Sequence, residues 1–142
     1  MPFVSVTRLR VRSWRFLPGF LLDAVRSARQ AKRAEGILAV KLLRDAHNTW
    51  WTCTAWDAED SMRNFMRANP HGPAMRKLLH WCDEAAVVHW TQPEPDLPCW
   101  PEAHRRMQLE GRNTKVNHPS PHHIAQQIIA PIVNPRADVV FK

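Results

Sequence analysis

Between residues 3 and 91 the spacing of apolar side chains switches between period two and period 3.6 in one order: strand, helix, strand, strand, helix, strand. That order constrains the chain more than any composition figure. Neighbouring elements pack together and crossovers keep one hand, so it closes as an α+β unit with one four-stranded antiparallel sheet and both helices on one face.

Phe3 to Val11 alternates, with Phe3, Ser5, Thr7, Leu9 and Val11 on one side and Val4, Val6, Arg8 and Arg10 on the other. Ser13 can cap, and Pro18 suits a first helical turn, where its missing N–H would be unpaired anyway. Phe20, Leu21, Ala24, Val25, Ala28 and Ala31 then recur at helical spacing before Gly36, which predicts a helix over about 17–34. Ile37 to Arg44 reads as a buried strand and Asp45-Ala46-His47-Asn48 as a turn. Thr49 to Trp56, rich in aromatic and β-branched residues, completes a hairpin. A second helix starts at Asp57, is broken by Pro70, Gly72 and Pro73, and adds turns over 74–79. Ala85 to Trp90 is the fourth strand.

Each strand carries apolar residues on both parities, notably Trp50 beside Trp51. Two helices cover one face only. A bare apolar face is an association surface, which predicts a homodimer through the open sheet faces and a pocket between sheet and helices. From Gln92 the register changes, with Pro93, Pro95, Pro98 and Pro101 followed by Pro119, Pro121, Pro131 and Pro135. One short helix fits at about 102–110. Trp100, Ile124, Ile128 and Ile129 predict that this extension wraps the domain or its partner. The expected division is a domain over 1–91 and a proline-rich extension over 92–142.

No window approaches the roughly 18 apolar residues of a bilayer span, so membrane insertion is not expected. Cys53, Cys82 and Cys99 show no CxxC pairing, which argues against a disulfide framework or a zinc site and suits a reducing cytoplasm. His118, His122 and His123 are interrupted by Pro119 and Pro121, so no chelating helix forms and no metal is expected. Four glycines leave no phosphate-cradling loop. The net charge of +7 is concentrated in residues 1–44, where ten basic residues face two acids. Such a patch can steer an anionic ligand, a nucleic acid or a membrane surface; a solvated helix face that aids solubility is the favoured explanation. A nucleic-acid partner is not expected, because the chain lacks an exposed aromatic platform.

Several stretches resemble a known group. They are Ser5 to Trp14, Ser27-Ala28-Arg29-Gln30-Ala31, Leu42-Leu43-Arg44-Asp45, Thr49-Trp50-Trp51-Thr52 and Trp56-Asp57. Further on come Ala68-Asn69-Pro70-His71, Trp81 to Ala85, Glu110-Gly111-Arg112 and Val116 to Ser120. Over about residues 1–120 the chain resembles the dimeric α/β-barrel superfamily, which includes antibiotic biosynthesis monooxygenases. Within it, the chain is most similar to a bacterial family of unknown function related to spheroidene monooxygenase. The resemblance implies a ferredoxin-like domain and a monooxygenase-like activity on a small hydrophobic, polycyclic or isoprenoid substrate. Cofactor-free oxygenation there needs a planar, electron-rich substrate that itself activates oxygen. No resident cofactor is expected, haem being the alternative. A non-catalytic ligand-binding or accessory protein of the same fold is the competing reading.

Seven tryptophans suit an aromatic-lined pocket, since an indole N–H orients a substrate oxygen and its face clamps a flat ligand. Trp14 at the first strand–helix corner, Trp51 and Trp56 on the third strand, and Arg44 for an anionic substrate are the binding candidates. Packing explains each tryptophan, and an acid partner explains Arg44. His71, after the break at Asn69-Pro70, and His89, on the fourth strand, are the catalytic candidates, because imidazole titrates near neutrality. The resemblance places a pocket-facing histidine near His71. Capping or simple packing serves either position as well.

Overall fold

The structure is a computed structural model that describes residues 1–68, 71–134, 136 and 138–140, with the side chains of 71–75 left aside. Strand β1 (Phe3–Val11) leads through a short turn at Trp14–Phe16 into α1 (Leu17–Arg33). The hairpin β2 (Ile37–Asp45) and β3 (Thr49–Trp56) follows, then α2 (Glu59–Arg67), α3 (His71–Trp81) and β4 (Cys82–Thr91). Beyond it lie α4 (Trp100–Glu110), β5 (Arg112–Asn113), α5 (Pro121–Ile124) and β6 (Asp138–Val140).

The expected order is present, but the sheet has six strands, not four, in the order β5-β4-β1-β3-β2-β6. The added strands solve an edge problem: an edge strand offers a row of unpaired backbone groups, and the chain pairs both of them itself. Arg112 and Asn113 lie beside Val87 and Ala86, while Asp138–Val140 lies beside Leu43, Leu42 and Lys41. Neither segment carries enough periodicity to announce a strand.

Other boundaries moved, β4 among them, which starts at Cys82 and not at Ala85. The second helical region is two helices, because α3 restarts at His71 and carries Pro73 within its first turn, where proline is tolerated. Likewise α4 starts at Trp100, before the expected 102, since Pro101 sits in its opening turn and does not break it. Asp57 does not open α2. Its carboxylate accepts from Ser61 Oγ at 2.6 Å and its N–H donates to the Gly36 carbonyl at 2.8 Å, holding the corner before Glu59. Gly36 needs its freedom there: φ is +86°, and a Cβ would collide with Asp57 and Ser61.

The sheet is apolar on both faces. On one side Phe3, Ile37, Val40 and Trp56 pack with Ala31 of α1 and Met62 of α2. On the other, Val4, Val6, Leu43, Trp51, Cys53, Ala55, Ala86, Val88 and Trp90 pack against Trp100, Ala103 and Met107 of α4. The face expected to call for a partner is therefore covered by a helix of the same chain. Trp51 and Trp100 meet edge to face at 6.4 Å, and Lys41 Nζ lies 4.5 Å over the Trp100 ring.

Candidate functional site

The antiparallel register fixes which side chains share the layer between the sheet and α1–α3. Ala85, Leu9, Trp50 and Arg44 form one rung across the strands. Val87, Thr7, Thr52 and Leu42 form the next, and His89, Ser5, Thr54 and Val40 the third. A strip of four hydroxyl side chains thus runs along β1 and β3 between Trp50 and His89, in a layer that packing alone would fill with aliphatics. From strand spacing and rise, Trp50 and His89 stand about 16 Å apart.

At the Trp50 end the layer opens. A cleft of about 400 Å³ lies between the start of α1 and the β2–β3 hairpin, lined by Leu17, Leu21, Arg44, Asp45, His47, Asn48 and Trp50. The hairpin loop shapes its rim: His47 and Asn48 both have φ near +60°, a region that Asn and His enter more readily than most side chains. Asp45 accepts from Ala46 N–H at 2.7 Å, Ile132 N–H at 2.9 Å and Trp51 Nε1 at 3.1 Å. It anchors the rim and is not a free base. Arg44 is exposed at the mouth, and Phe20 of α1 leans on the Trp50 ring at 5.6 Å. Trp50 Nε1 is buried and donates to nothing among the described residues. An indole N–H without an acceptor is costly in a core and useful in a site.

His89 lies at the other end of the strip. Its ring sits 5.4 Å from Phe3, and its Nε2 is also buried without a partner among the described residues. Burial pulls its pKa below the ordinary histidine value, and the nearby Arg112 and Arg63 pull the same way against Glu59. The imidazole is accordingly neutral at pH 7 and able to accept a proton.

The remaining candidates are dispersed. Trp51 is fully buried on the α4 face, and Trp56 is fully buried between Phe65 and its own hydrogen bond to Thr54 Oγ1 at 2.8 Å. Trp14 is 74% exposed on the outer surface. His71 is the first residue of α3, and its side chain lies outside the described residues. The tryptophan that reaches the cleft is Trp50, and His47 is the imidazole on its rim. Sequence parity put Trp50 on the right strand; only the hairpin register, with Arg44 opposite Trp50, sets them together. Arg8 and Arg10 are spent on Glu84, at 2.7 and 2.9 Å.

A second depression of about 450 Å³ lies across the sheet edge, between β2, β6 and residues 95–97. Its one cation, Lys41, already donates to the Pro98 carbonyl. Burial pushes the Cys53 and Cys82 thiols up to about 12, so neither serves as a nucleophile. No three His, Cys, Asp or Glu side chains among the described residues converge to hold a metal. No described helix is long and apolar enough to cross a membrane.

No family model matches the chain, and no curated protein does. Solved structures do. A mutant form of SnoaB, a cofactor-independent oxygenase from Streptomyces nogalater, superposes with a TM-score of 0.55 at 19% identity, covering 66% of this chain and 94% of that one. The fold is that of the antibiotic biosynthesis monooxygenases. A proposed member from Nitrosomonas europaea gives a TM-score of 0.59 at 13% identity over 66% of this chain and 92% of its own. One from Bacteroides thetaiotaomicron gives 0.56 at 14%, over 69% and 95%. At such identities the likeness carries the monooxygenase fold and leaves the chemistry to the site. Nearly the whole of each neighbour is matched, so about a third of this chain has no counterpart in them.

Proposed function

We propose that the protein is a monooxygenase-like enzyme that takes a small, flat, hydrophobic substrate into the cleft between α1 and the β2–β3 hairpin. One observation carries this: the cleft is floored by Trp50, whose buried indole N–H has no acceptor among the described residues and whose rung neighbours a strip of hydroxyls in the same layer. In this reading Trp50 Nε1 donates to a substrate oxygen, Arg44 meets negative charge at the mouth, and Phe20 supports the Trp50 ring. Leu17, Leu21 and the Trp50 ring supply the apolar contacts for the body of the substrate.

The chemistry suited to such a site needs no metal from the protein. An electron-rich phenolic or enolisable substrate loses a proton and supplies the electrons itself. A methylene group and dioxygen then give a carbonyl and water, so that one oxygen atom enters the product. His47 at the rim is the imidazole placed to accept the proton from a substrate in the cleft, and His89 serves one that reaches the far end of the strip. His71, at the start of α3, stays a candidate for the same role.

The competing reading is a non-catalytic carrier, favoured by one feature: Asp45, the carboxylate in the cleft, is taken up by three structural donors, Ala46 N–H, Ile132 N–H and Trp51 Nε1. Oxygen-electrode assays with hydroxylated naphthalenes and anthracenes separate the two readings. Oxygen uptake matched to product and abolished in His47→Ala, His89→Phe or His71→Ala supports an enzyme; tight binding without uptake leaves a carrier. An absorbance scan and native mass of the purified protein report any retained chromophore and whether a homodimer forms.

A further inference from the structure

The exposed side of α1 is divided along its length, and the cleft reading uses only Leu21 of it. Towards the N-terminus it presents Leu21, Leu22 and Val25, which are 40%, 51% and 49% exposed, and Trp14 stands just ahead at 74%. Towards the C-terminus the same side presents Arg26, Arg29, Lys32 and Arg33, all exposed. None of these four, nor exposed Arg15, takes part in a salt bridge among the described residues. The acid within the helix, Asp23, is buried and paired to Lys77 Nζ at 3.1 Å; Glu35 lies beyond the helix end. Isolated apolar residues on a surface are ordinary, but three on one helix side, with an exposed Trp just ahead in the chain and four cations that form no salt bridge among the described residues, are not.

We propose that α1 and Trp14 dock the protein on an anionic membrane surface, with the Trp14–Leu22–Val25 end seated among the acyl-chain boundaries and the Arg26–Arg33 end against the phosphates. Charge complementarity selects this occupant. Cations that form no salt bridge among the described residues attract anionic headgroups, and a tryptophan with flanking aliphatics suits the depth just beneath them. A nucleic acid would use the cations but leave the apolar end in water, and a second copy of the chain would set cations against cations. The surface also has a purpose. Leu21 belongs both to the apolar end and to the lining of the Trp50 cleft. A hydrophobic substrate dissolved in the membrane would enter the cleft without crossing water; this last clause rests on the proposed function, whereas the docking does not.

Flotation with phosphatidylcholine vesicles, with and without phosphatidylglycerol, tests the docking. The full-length protein is expected to float with the anionic vesicles only and to release in high salt. Arg26→Glu with Arg29→Glu should weaken binding at least about tenfold, and Trp14→Ser with Leu22→Ser by a similar factor. All four positions are exposed, and matched urea melts confirm that the variants fold. Trp50→Phe should float like the parent, so failure of the cleft reading stays separate from failure of docking. Three outcomes overturn the proposal: no flotation, flotation unaffected by Trp14→Ser with Leu22→Ser alongside equal binding to duplex DNA, or a dimer whose dissociation is needed for lipid binding.

Discussion

Arg8 and Glu84 meet at 2.7 Å between β1 and β4, with side chains only 5% and 4% exposed. Arg10 and Ser120 donate to the other Glu84 oxygen, at 2.9 and 2.8 Å, so one carboxylate ties β1 and β4 to the start of α5. Burial alone would raise the Glu84 pKa, but the hydrogen bonds from Arg8, Arg10 and Ser120 outweigh it and hold it at about 2, against an ordinary 4.5. The unfolded chain therefore takes up this proton first. The stabilisation is complete above about pH 4.5 and is lost as pH falls towards 2. Glu84→Gln should cost about 3 kcal/mol at pH 7, because it strands a buried guanidinium. Urea melts across pH should show the variant losing less stability than the parent over that acid range.

Trp100 is the anchor of α4 on the sheet. Truncating it to Ala removes an indole packed on Trp51 and the platform under Lys41, and should cost about 3 kcal/mol. The same variant should bind a hydrophobic dye more strongly, as the apolar face loosens. A melt unchanged from the parent would show that α4 contributes little to covering that face.

The order of the core elements was legible because strand and helix periods differ, and Phe3–Val11 announced both of its faces correctly. Less was legible about the cleft. Trp50 and Trp51 are identical in composition and adjacent, so only pairing across the sheet tells which one lines an opening. Arg44 was visible as a strand cation, yet its place beside Trp50 depends on a hairpin register set by three loop residues. The strands β5 and β6 are two and three residues long and form by docking to existing edges, which leaves no periodic trace. Trp51 and Trp56 drew notice by residue type, and both are fully buried.

His89 should titrate below the ordinary histidine range. Burial and the nearby arginines disfavour its charged form in the fold, while in the unfolded chain it takes a proton near 6.5. Its contribution is thus complete above about pH 6.5 and declines as pH falls below it. Imidazole NMR on the parent and on His89→Phe identifies the resonance. A midpoint at or above 6.5 would contradict a neutral His89 with its Nε2 buried.

Gly36→Ala should destabilise the fold by about 2 kcal/mol, from a positive φ combined with contact on the Asp57–Ser61 corner. Denaturant titration reads this directly.

The central claim is that Trp50 receives the ligand, and calorimetric titration with a hydroxylated anthracene tests it most directly. The parent and Trp14→Phe should bind alike, and Trp50→Phe, which keeps an aromatic ring but loses the indole N–H, should bind about tenfold more weakly. Equal affinity in the parent and Trp50→Phe would contradict the account.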